Sequence, residues 1–178
     1  MNMNSVWHNI NPSRVKCDDF IAVIEIPKGC KNKYELDKES GALILDRILH
    51  TSTHYPANYG FIPLTFADDN DPLDVLVLCS EQIVPMAIVR CYPIGVMCMT
   101  DQGEMDYKII AIPYKDPTWN HMNDITDLPP HIMQEITHFF HVYKELEHKD
   151  TVILEIMDRI RAEEIIESAI VFYKDTYL

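Results

Sequence analysis

Hydrophobic runs typical of β-strands fill the first two thirds of the chain. Residues 20–26, 73–79, 87–99 and 106–112 are rich in apolar side chains and lie between turn-forming residues. Residues 33–49 predict a hairpin, because polar and apolar side chains alternate, a Lys-Glu-Ser-Gly turn follows, and a second apolar run returns. Short strands joined by turns favour a closed barrel over a fold in which strands and helices alternate.

The last third of the chain changes to a helical period. After Pro129 and Pro130, the spacing predicts an amphipathic helix with the inward positions Ile132, Ile136, Phe139, Phe140, Tyr143 and Leu146. A second helix is predicted over residues 159–173, with the inward positions Ile165, Ile166, Ala169, Ile170 and Tyr173. Since no repeat or flexible linker interrupts the chain, we expect one domain over residues 1–178. It is mainly β with α (α+β), a small barrel flanked by two C-terminal helices.

Net charge narrows the classes of ligand. The chain has 28 acidic residues against 15 Lys and Arg residues, which gives a formal net charge of −13. Nucleic acids and anionic lipids bind proteins largely through Lys and Arg, so this balance argues against both partners. An anionic small molecule would need a bound divalent cation to reverse the local field.

Cysteine usage and the apolar runs bear on the compartment. The five cysteines form no CxxC pair, and an odd number does not fit a disulfide framework. The first residues contain no apolar signal-peptide core, and no run of eighteen apolar residues occurs. We therefore expect a cytoplasmic protein without a signal peptide or a membrane span.

Three carboxylates lie within the six-residue segment 69–74, directly before an apolar strand. One interpretation is a solvated acidic turn, because Asp, Asn and Pro are turn formers. A calcium-binding EF-hand loop that starts at Asp69 is excluded, since it needs Gly and Glu where the chain has Asp74 and Ser80. The other interpretation is a site for a hard cation such as Mg²⁺. In an extended stretch, Asp69 and Asp71 would point to the same side.

Further acidic residues occur in other predicted strands. Asp106 and Lys108 share one face of a strand by period-two alternation, and Asp101 lies shortly before them. Glu25 interrupts an apolar run, and a buried carboxyl group needs a hydrogen-bonding partner or a metal.

The predicted hairpin carries a third charged set. Lys33 and Glu35 share one face of the first strand, and Arg47 lies on the return strand. Each of these sets alone also fits an ordinary solvated face or a cross-strand ion pair.

The chain resembles the family I soluble inorganic pyrophosphatases. Residues 69–75, DNDPLDV, match the family signature D-x-D-P-x-D-V. The family's other motifs follow in order, as IEIP (24–27), KYELDKESGAL (33–43), DR (46–47), YPANYGFI (55–62), MTDQGEMDYK (99–108) and HFFHVYKELE (138–147). Gln102 departs from the pattern, since many members have a second acid there. The resemblance implies an OB-type five-stranded closed β-barrel with helices packed outside and a polar site at the barrel mouth.

The resemblance also implies an activity and the residues that perform it. The activity is Mg²⁺-dependent hydrolysis of pyrophosphate to two orthophosphates, with several Mg²⁺ ions in the site and Mn²⁺ or Zn²⁺ as candidate substitutes. Asp71 is similar to the family's general base. The implied metal ligands are Asp69, Asp74, Asp101 and Asp106, with Glu25 as an additional acid. The implied substrate-binding residues are Lys33, Glu35, Arg47, Tyr59, Lys108, Tyr143 and Lys144.

Two alternatives stay open at this point. Tyr143 also falls on the apolar stripe of its helix and could be a core residue. A non-catalytic OB-type module that binds nucleic acid would have the same strands, but it predicts a basic groove with stacking aromatic residues.

Resemblance to the short bacterial-type members further implies a homo-hexamer.

Overall fold

The computed structural model describes residues 5–178, which form eight strands and two α-helices. The strands are β1 (Phe20–Ile26), β2 (Asn32–Leu36), β3 (Leu43–Ile48), β4 (Asn58–Phe61), β5 (Asp74–Val77), β6 (Ile88–Asp101), β7 (Glu104–Pro113) and β8 (Thr151–Asp158). The helices are α1 (Pro130–Val142) and α2 (Arg159–Tyr177), and short 3₁₀ turns lie at Pro12–Arg14, Ile125–Asp127 and Glu145–Glu147.

Five strands close into a ring, which confirms the predicted barrel. Their order is β1-β4-β5-β7-β6, and β6 pairs back with β1. All neighbours are antiparallel except β5 and β7. Closure depends on the length of β6, which pairs with β1 through residues 88–91 and with β8 through residues 95–101. A register shift between Pro93 and Gly95 separates the two halves of this strand.

The contact between β4 and β1 requires a glycine. A Cβ atom at Gly60 would lie 1.8 Å from the carbonyl oxygen of Val23 on β1. No side chain fits in that space, so Gly60 allows the two backbones to approach closely enough to pair.

Two strands of the structure, β4 and β8, were not predicted from the sequence. β4 has only four residues and includes Asn58 and Gly60, residue types that are depleted in strands. β8 carries the run Val-Ile-Leu-Glu-Ile, a pattern that favours a strand. It adds to the outer edge of β6, and α2 begins directly after it.

The hairpin and both helices are confirmed, with one correction. β2 and β3 pair as a separate two-stranded sheet, and α2 buries all of its predicted inward positions. α1 ends at Val142, and Leu146 therefore falls in the following 3₁₀ turn. The prediction that Leu146 points inward was wrong, because the helical period stops before it and its side chain is 60% exposed.

Two apolar clusters hold the helices against the strands. One joins Ala162 and Ile166 of α2 to β1 and to Trp7 of the N-terminal segment. The other joins Phe139 and Phe140 of α1 to β6 and β7. The two helices therefore cover different parts of the barrel surface. Neither helix has the length and apolar character that a membrane crossing requires, as judged over residues 5–178.

Candidate active site

One cavity of about 410 Å³ brings together every residue that the sequence analysis assigned to a site. Its walls come from the N-terminal segment, β1, the β2–β3 hairpin, β4, the start of β5 and the segment before it, the facing ends of β6 and β7, and the residues after α1. The predicted residues that line it are Glu25, Lys33, Glu35, Arg47, Tyr59, Asp69, Asp71, Asp74, Asp101, Asp106, Lys108, Tyr143 and Lys144. Their individual roles stay predictions, but their proximity is a property of the fold.

Lys108 is a buried cation between two carboxylates. It is 2% exposed, and its Nζ lies 2.7 Å from Asp74 Oδ2 and 2.9 Å from Asp106 Oδ2. Parallel pairing of β5 with β7 sets Asp74 beside Lys108, and Asp106 precedes Lys108 on the same strand face. Burial alone would lower the pKa of Lys108, but Asp106 and Asp74 raise it well above its usual value. Lys108 is therefore charged at neutral pH.

Two buried tyrosines supply neutral hydroxyl groups to the cavity. Tyr59 donates a hydrogen bond to Asp74 Oδ2 at 2.5 Å and accepts one from Lys108 Nζ at 2.9 Å. Tyr143 packs in the apolar cluster under α1 and also lines the cavity, so it is both a core residue and a wall residue. Burial raises the pKa of both phenols, which keeps them protonated as donors.

Lys144 and Asp101 form a second ion pair in the cavity. Lys144 follows the end of α1 and is 8% exposed, and its ammonium group contacts the Asp101 carboxylate at the end of β6. The other oxygen, Asp101 Oδ1, is buried and has no hydrogen-bond partner in the described part of the chain. Since an unsatisfied buried acceptor is costly, this oxygen favours a cation or a donor as its partner.

The hairpin contributes two cations that face each other across β2 and β3. Lys33 pairs in register with Arg47, and its ammonium group contacts Glu35. Arg47 Nη1 lies 2.5 Å from Asp46 Oδ2, and its Nε lies 2.8 Å from Glu147 Oε1. Arg47 Nη2 is buried and makes no hydrogen bond within residues 5–178. Burial lowers the pKa of Lys33, although Asp46 opposes that shift.

Glu25 has a partner on the hairpin. Its Oε1 accepts a hydrogen bond from the Leu36 backbone N–H at 2.7 Å. Burial nevertheless raises the pKa of the Glu25 carboxyl to about 8, and the Asp74 and Asp71 carboxylates add to the rise. Glu25 is thus an acid that favours its protonated form unless positive charge comes near.

Residues 69–71 form a turn, as one interpretation of the acidic segment predicted, so the same-side geometry of an extended stretch does not apply. Asn70 has a φ of +66°, and the Asp71 N–H donates to Asp69 Oδ1 at 3.1 Å. This Asx-type hydrogen bond replaces the period-two geometry of a strand. The Asp71 carboxylate, half exposed, contacts the ammonium group of Lys38. Both Asp69 and Asp71 still line the cavity, but from a turn.

The acids of the cavity have the chemistry of a hard-cation site. Over residues 5–178, no three acidic, His or Cys side chains converge as a ready-made metal site, and lysines contact several of the acids instead. The candidate donors are nevertheless all carboxylate oxygens, and Asp101 has an unpaired one. Burial and neighbouring carboxylates raise the pKa of Asp69 to about 6, and they also raise the pKa of Asp106. A bound cation would relieve this repulsion, so the residues fit Mg²⁺.

Further residues of this neighbourhood were not predicted from the sequence. Trp7, Lys38 and Asp46 line the cavity, and Glu147 lies against Arg47. Lys38, Asp46 and Glu147 stand inside the matched motifs, so their charge was an available signal. Trp7 lies far from those motifs in sequence, and only the fold brings it to the cavity.

Comparison with known proteins connects this chain to one family. The chain matches the family model for inorganic pyrophosphatase over residues 22–174. It is 46% identical over 172 residues to soluble inorganic pyrophosphatase 2 of Chlamydomonas reinhardtii, a match that covers 97% of this chain and 90% of that protein. It is 41% identical over 176 residues to the inorganic pyrophosphatase of Haloferax volcanii, covering 98% of this chain and 99% of the other.

The solved structures agree with the sequence relatives. The fold matches that of the inorganic pyrophosphatase from Helicobacter pylori with a TM-score of 0.89 at 41% identity. The match covers 93% of this chain and 99% of the other. The chain therefore belongs to the inorganic pyrophosphatase family.

Proposed function

We propose that this chain hydrolyses inorganic pyrophosphate to two orthophosphates in a Mg²⁺-dependent reaction. The observation that supports the proposal is the cavity itself, which contains both the carboxylates and the basic side chains predicted for a pyrophosphatase. Basic side chains there can bind an anion, and carboxylates between them can bind the cations that such an anion brings. A nucleic-acid-binding module would instead need a basic groove, and carboxyl groups outnumber basic groups in this lining.

The acids of the cavity would hold the metal. Asp69, Asp74, Asp101 and Asp106 are the proposed ligands, and Glu25 is an additional acid behind them. When bound, several Mg²⁺ ions would supply positive charge to the phosphate oxygens and lower the pKa of a nearby water. Mn²⁺ and Zn²⁺ are candidate substitutes for Mg²⁺, which a phosphate-release assay can compare.

Asp71 is the proposed general base. Its carboxylate lies at the cavity and is half exposed, so a water molecule can reach it. As the oxygen of that water bonds to one phosphorus, the bond from this phosphorus to the bridging oxygen breaks. The proton of the attacking water passes to Asp71, and the second phosphate leaves with the bridging oxygen.

The basic groups are the proposed phosphate ligands. Arg47 can present a planar guanidinium with an unpaired Nη2, which suits phosphate oxygens. The other proposed contacts are Lys33, Lys108, Lys144, Tyr59 and Tyr143, with Glu35 beside Lys33. These groups offset the charge that shifts to the leaving phosphate as the bridging bond breaks.

A phosphate-release assay tests the function directly. We expect the purified chain to release orthophosphate from pyrophosphate with Mg²⁺ and to lose this activity when a chelator is added. Asp74→Asn should nearly abolish turnover at low Mg²⁺ and recover part of it at high Mg²⁺, because an amide oxygen lacks the negative charge that holds the ion. Asp175→Asn, on the exposed face of α2, is the matched control. Absence of phosphate release at any Mg²⁺ concentration would reject the proposal.

We also propose that the chain assembles as a homo-oligomer, with a hexamer as the expected state. The support is a set of large apolar side chains that stay exposed on the edge strand β8, namely Val152, Leu154 and Ile156. Exposed apolar rows of this kind mark contact surfaces. Sedimentation velocity should give a hexamer, and a monomer at micromolar concentration would contradict the proposal.

The single-domain and cytoplasmic assignments are proposals as well. The cavity draws residues from β1 through to the segment after α1, which supports one cooperative unit. The five cysteines are free thiols, which suits a reducing compartment. For one domain, we expect two spectroscopic probes to report the same single unfolding transition. For a cytoplasmic protein, we expect recovery in the cytosolic fraction after cell lysis.

A further inference from the structure

Lys38 links the hairpin to the turn that carries the proposed base. It stands in the turn between β2 and β3, and its ammonium group contacts the Asp71 carboxylate. The same Nζ donates a hydrogen bond to the Asn70 carbonyl oxygen at 3.1 Å. Among residues 5–178, Lys38 is the sole basic side chain at ion-pair distance from Asp71. One side chain thus contacts both the backbone and the carboxylate of this turn.

Lys38 is itself held by the Trp7 indole. Its Nζ lies 5.6 Å from the centroid of the Trp7 ring, within cation–π range. Trp7 is fully buried, its Nε1 donates to the Thr65 carbonyl at 2.9 Å, and its carbonyl accepts from the Leu64 N–H at 3.0 Å. Thr65 Oγ1 in turn accepts from the Leu73 N–H at 2.9 Å. The indole is therefore fixed to the backbone that precedes the acidic turn, and Thr65 links that backbone to Leu73, which follows the turn.

We propose that Lys38 is a positioning residue that aims the Asp71 carboxylate into the cavity, with Trp7 as its fixed support. The inference rests on the proposed function, in which Asp71 is the base. The Asp71 side chain is 51% exposed, and without Lys38 its χ1 rotation would be restrained by no other ion pair in the described part of the chain. Exposed ion pairs of this kind add little to folding stability, so the contact matters for orientation more than for the fold.

Steady-state kinetics separate positioning from substrate binding. We expect Lys38→Met to lower kcat by roughly tenfold to a hundredfold, the effect of a misplaced catalytic group, while KM stays within about twofold. Lys38→Arg should recover most of kcat, because it restores the cation beside Asp71. Lys174→Met, an exposed position on α2 outside the cavity, should match the parent. A parent-like kcat in Lys38→Met, or a raised KM with unchanged kcat, would overturn the proposal.

Trp7 fluorescence provides a readout that does not depend on activity. The chain has two tryptophans, so a Trp119→Phe background isolates Trp7. Lys38→Met should shift Trp7 emission, Asp71→Asn should shift it in the same direction, and the double variant should add nothing further. Independent, additive shifts would contradict a coupled Asp71–Lys38–Trp7 unit. If the parent releases no phosphate, the proposed function fails whatever the emission shows, so the two failures are distinguishable.

Discussion

Replacing Lys108 by Met should make the folded chain depend on a divalent cation for its stability. Lys108 Nζ lies within 2.9 Å of both Asp74 and Asp106, and its side chain is 3% exposed. Met has a similar length and can pack against the Tyr59 and Phe140 rings, which lie beside the ammonium group. The substitution therefore removes the charge and leaves two partly buried carboxylates side by side.

The expected loss of stability is large because the Lys108 ammonium group in these ion pairs is shielded from water. Removing one partner of a buried ion pair costs about 3–5 kcal/mol. For a chain of this size, each kcal/mol corresponds to about 2–4 °C, so Tm in chelator should fall by roughly 6–20 °C. Mg²⁺ at about a hundred times its dissociation constant should restore roughly 2.7 kcal/mol, since it binds the folded state only.

Urea unfolding with and without Mg²⁺ provides the measurement. Lys174→Met is the surface control and should leave the unfolding free energy unchanged within about 0.5 kcal/mol. Lys108→Met with Asp106→Asn should recover part of the loss, because one of the repelling charges is gone. If Lys108→Met in chelator is as stable as the parent, the ion-pair network does not stabilise the barrel and the reasoning is refuted.

Three further substitutions test separate parts of the site. Arg47→Lys keeps the charge but loses the planar guanidinium group, so kcat/KM should fall about tenfold or more. Parent-like kinetics for this variant and for Arg47→Ala would exclude Arg47 as a phosphate ligand. Asp71→Asn should slow turnover by about 10²–10⁴-fold and move the acidic limb of the pH–rate profile to higher pH; an unmoved limb with parent turnover would exclude Asp71 as the base. The pKa of Glu25 rises on folding from 4.5 to about 8, so the folded state binds the carboxyl proton more tightly than the unfolded state. The free energy of unfolding in chelator should therefore fall as the pH rises from 4.5 to about 8. Glu25→Gln should make the unfolding free energy, measured with urea, less dependent on pH by up to about 1.4 kcal/mol per pH unit. An unchanged pH dependence would contradict the raised pKa of Glu25.

The barrel was largely predictable because its strands carry their own signal. β1, the middle of β6 and the second half of β7 are buried, largely apolar runs, which leave little room for polar residues. β4 carries almost no local signal, since its position depends on the approach of Gly60 to β1, a contact between distant parts of the chain. The end of α1 shows the same limit, because the periodic pattern runs on to Leu146 after the helix has stopped.

The set of residues that meet in the cavity was predictable from motifs, but the contacts among them were not. Period-two alternation placed Asp106 and Lys108 on one face, and their contact confirms it. The partnership of Lys108 with Asp74 depends on the parallel register of β5 and β7, which no local pattern specifies. The turn at residues 69–71 was one of the two interpretations of the acidic segment, because its Asp-Asn-Asp-Pro composition favours a turn, and the left-handed Asn70 agrees with it.

The lysine–carboxylate ion pairs in the cavity give a physical reason why a chain of negative net charge can act on an anionic substrate. Lys108 and Lys144 contact Asp74, Asp106 and Asp101 in the structure, whereas the proposed reaction needs those lysines on phosphate and those acids on Mg²⁺. A cation that takes the carboxylates releases the ammonium groups, and pyrophosphate that takes the ammonium groups leaves the carboxylates short of positive charge. Each ligand therefore favours the other, and by linkage the coupling is equal in both directions. A net charge of −13 is then compatible with the binding of pyrophosphate, because the acids that contribute to it can attract the cations that the proposed reaction requires.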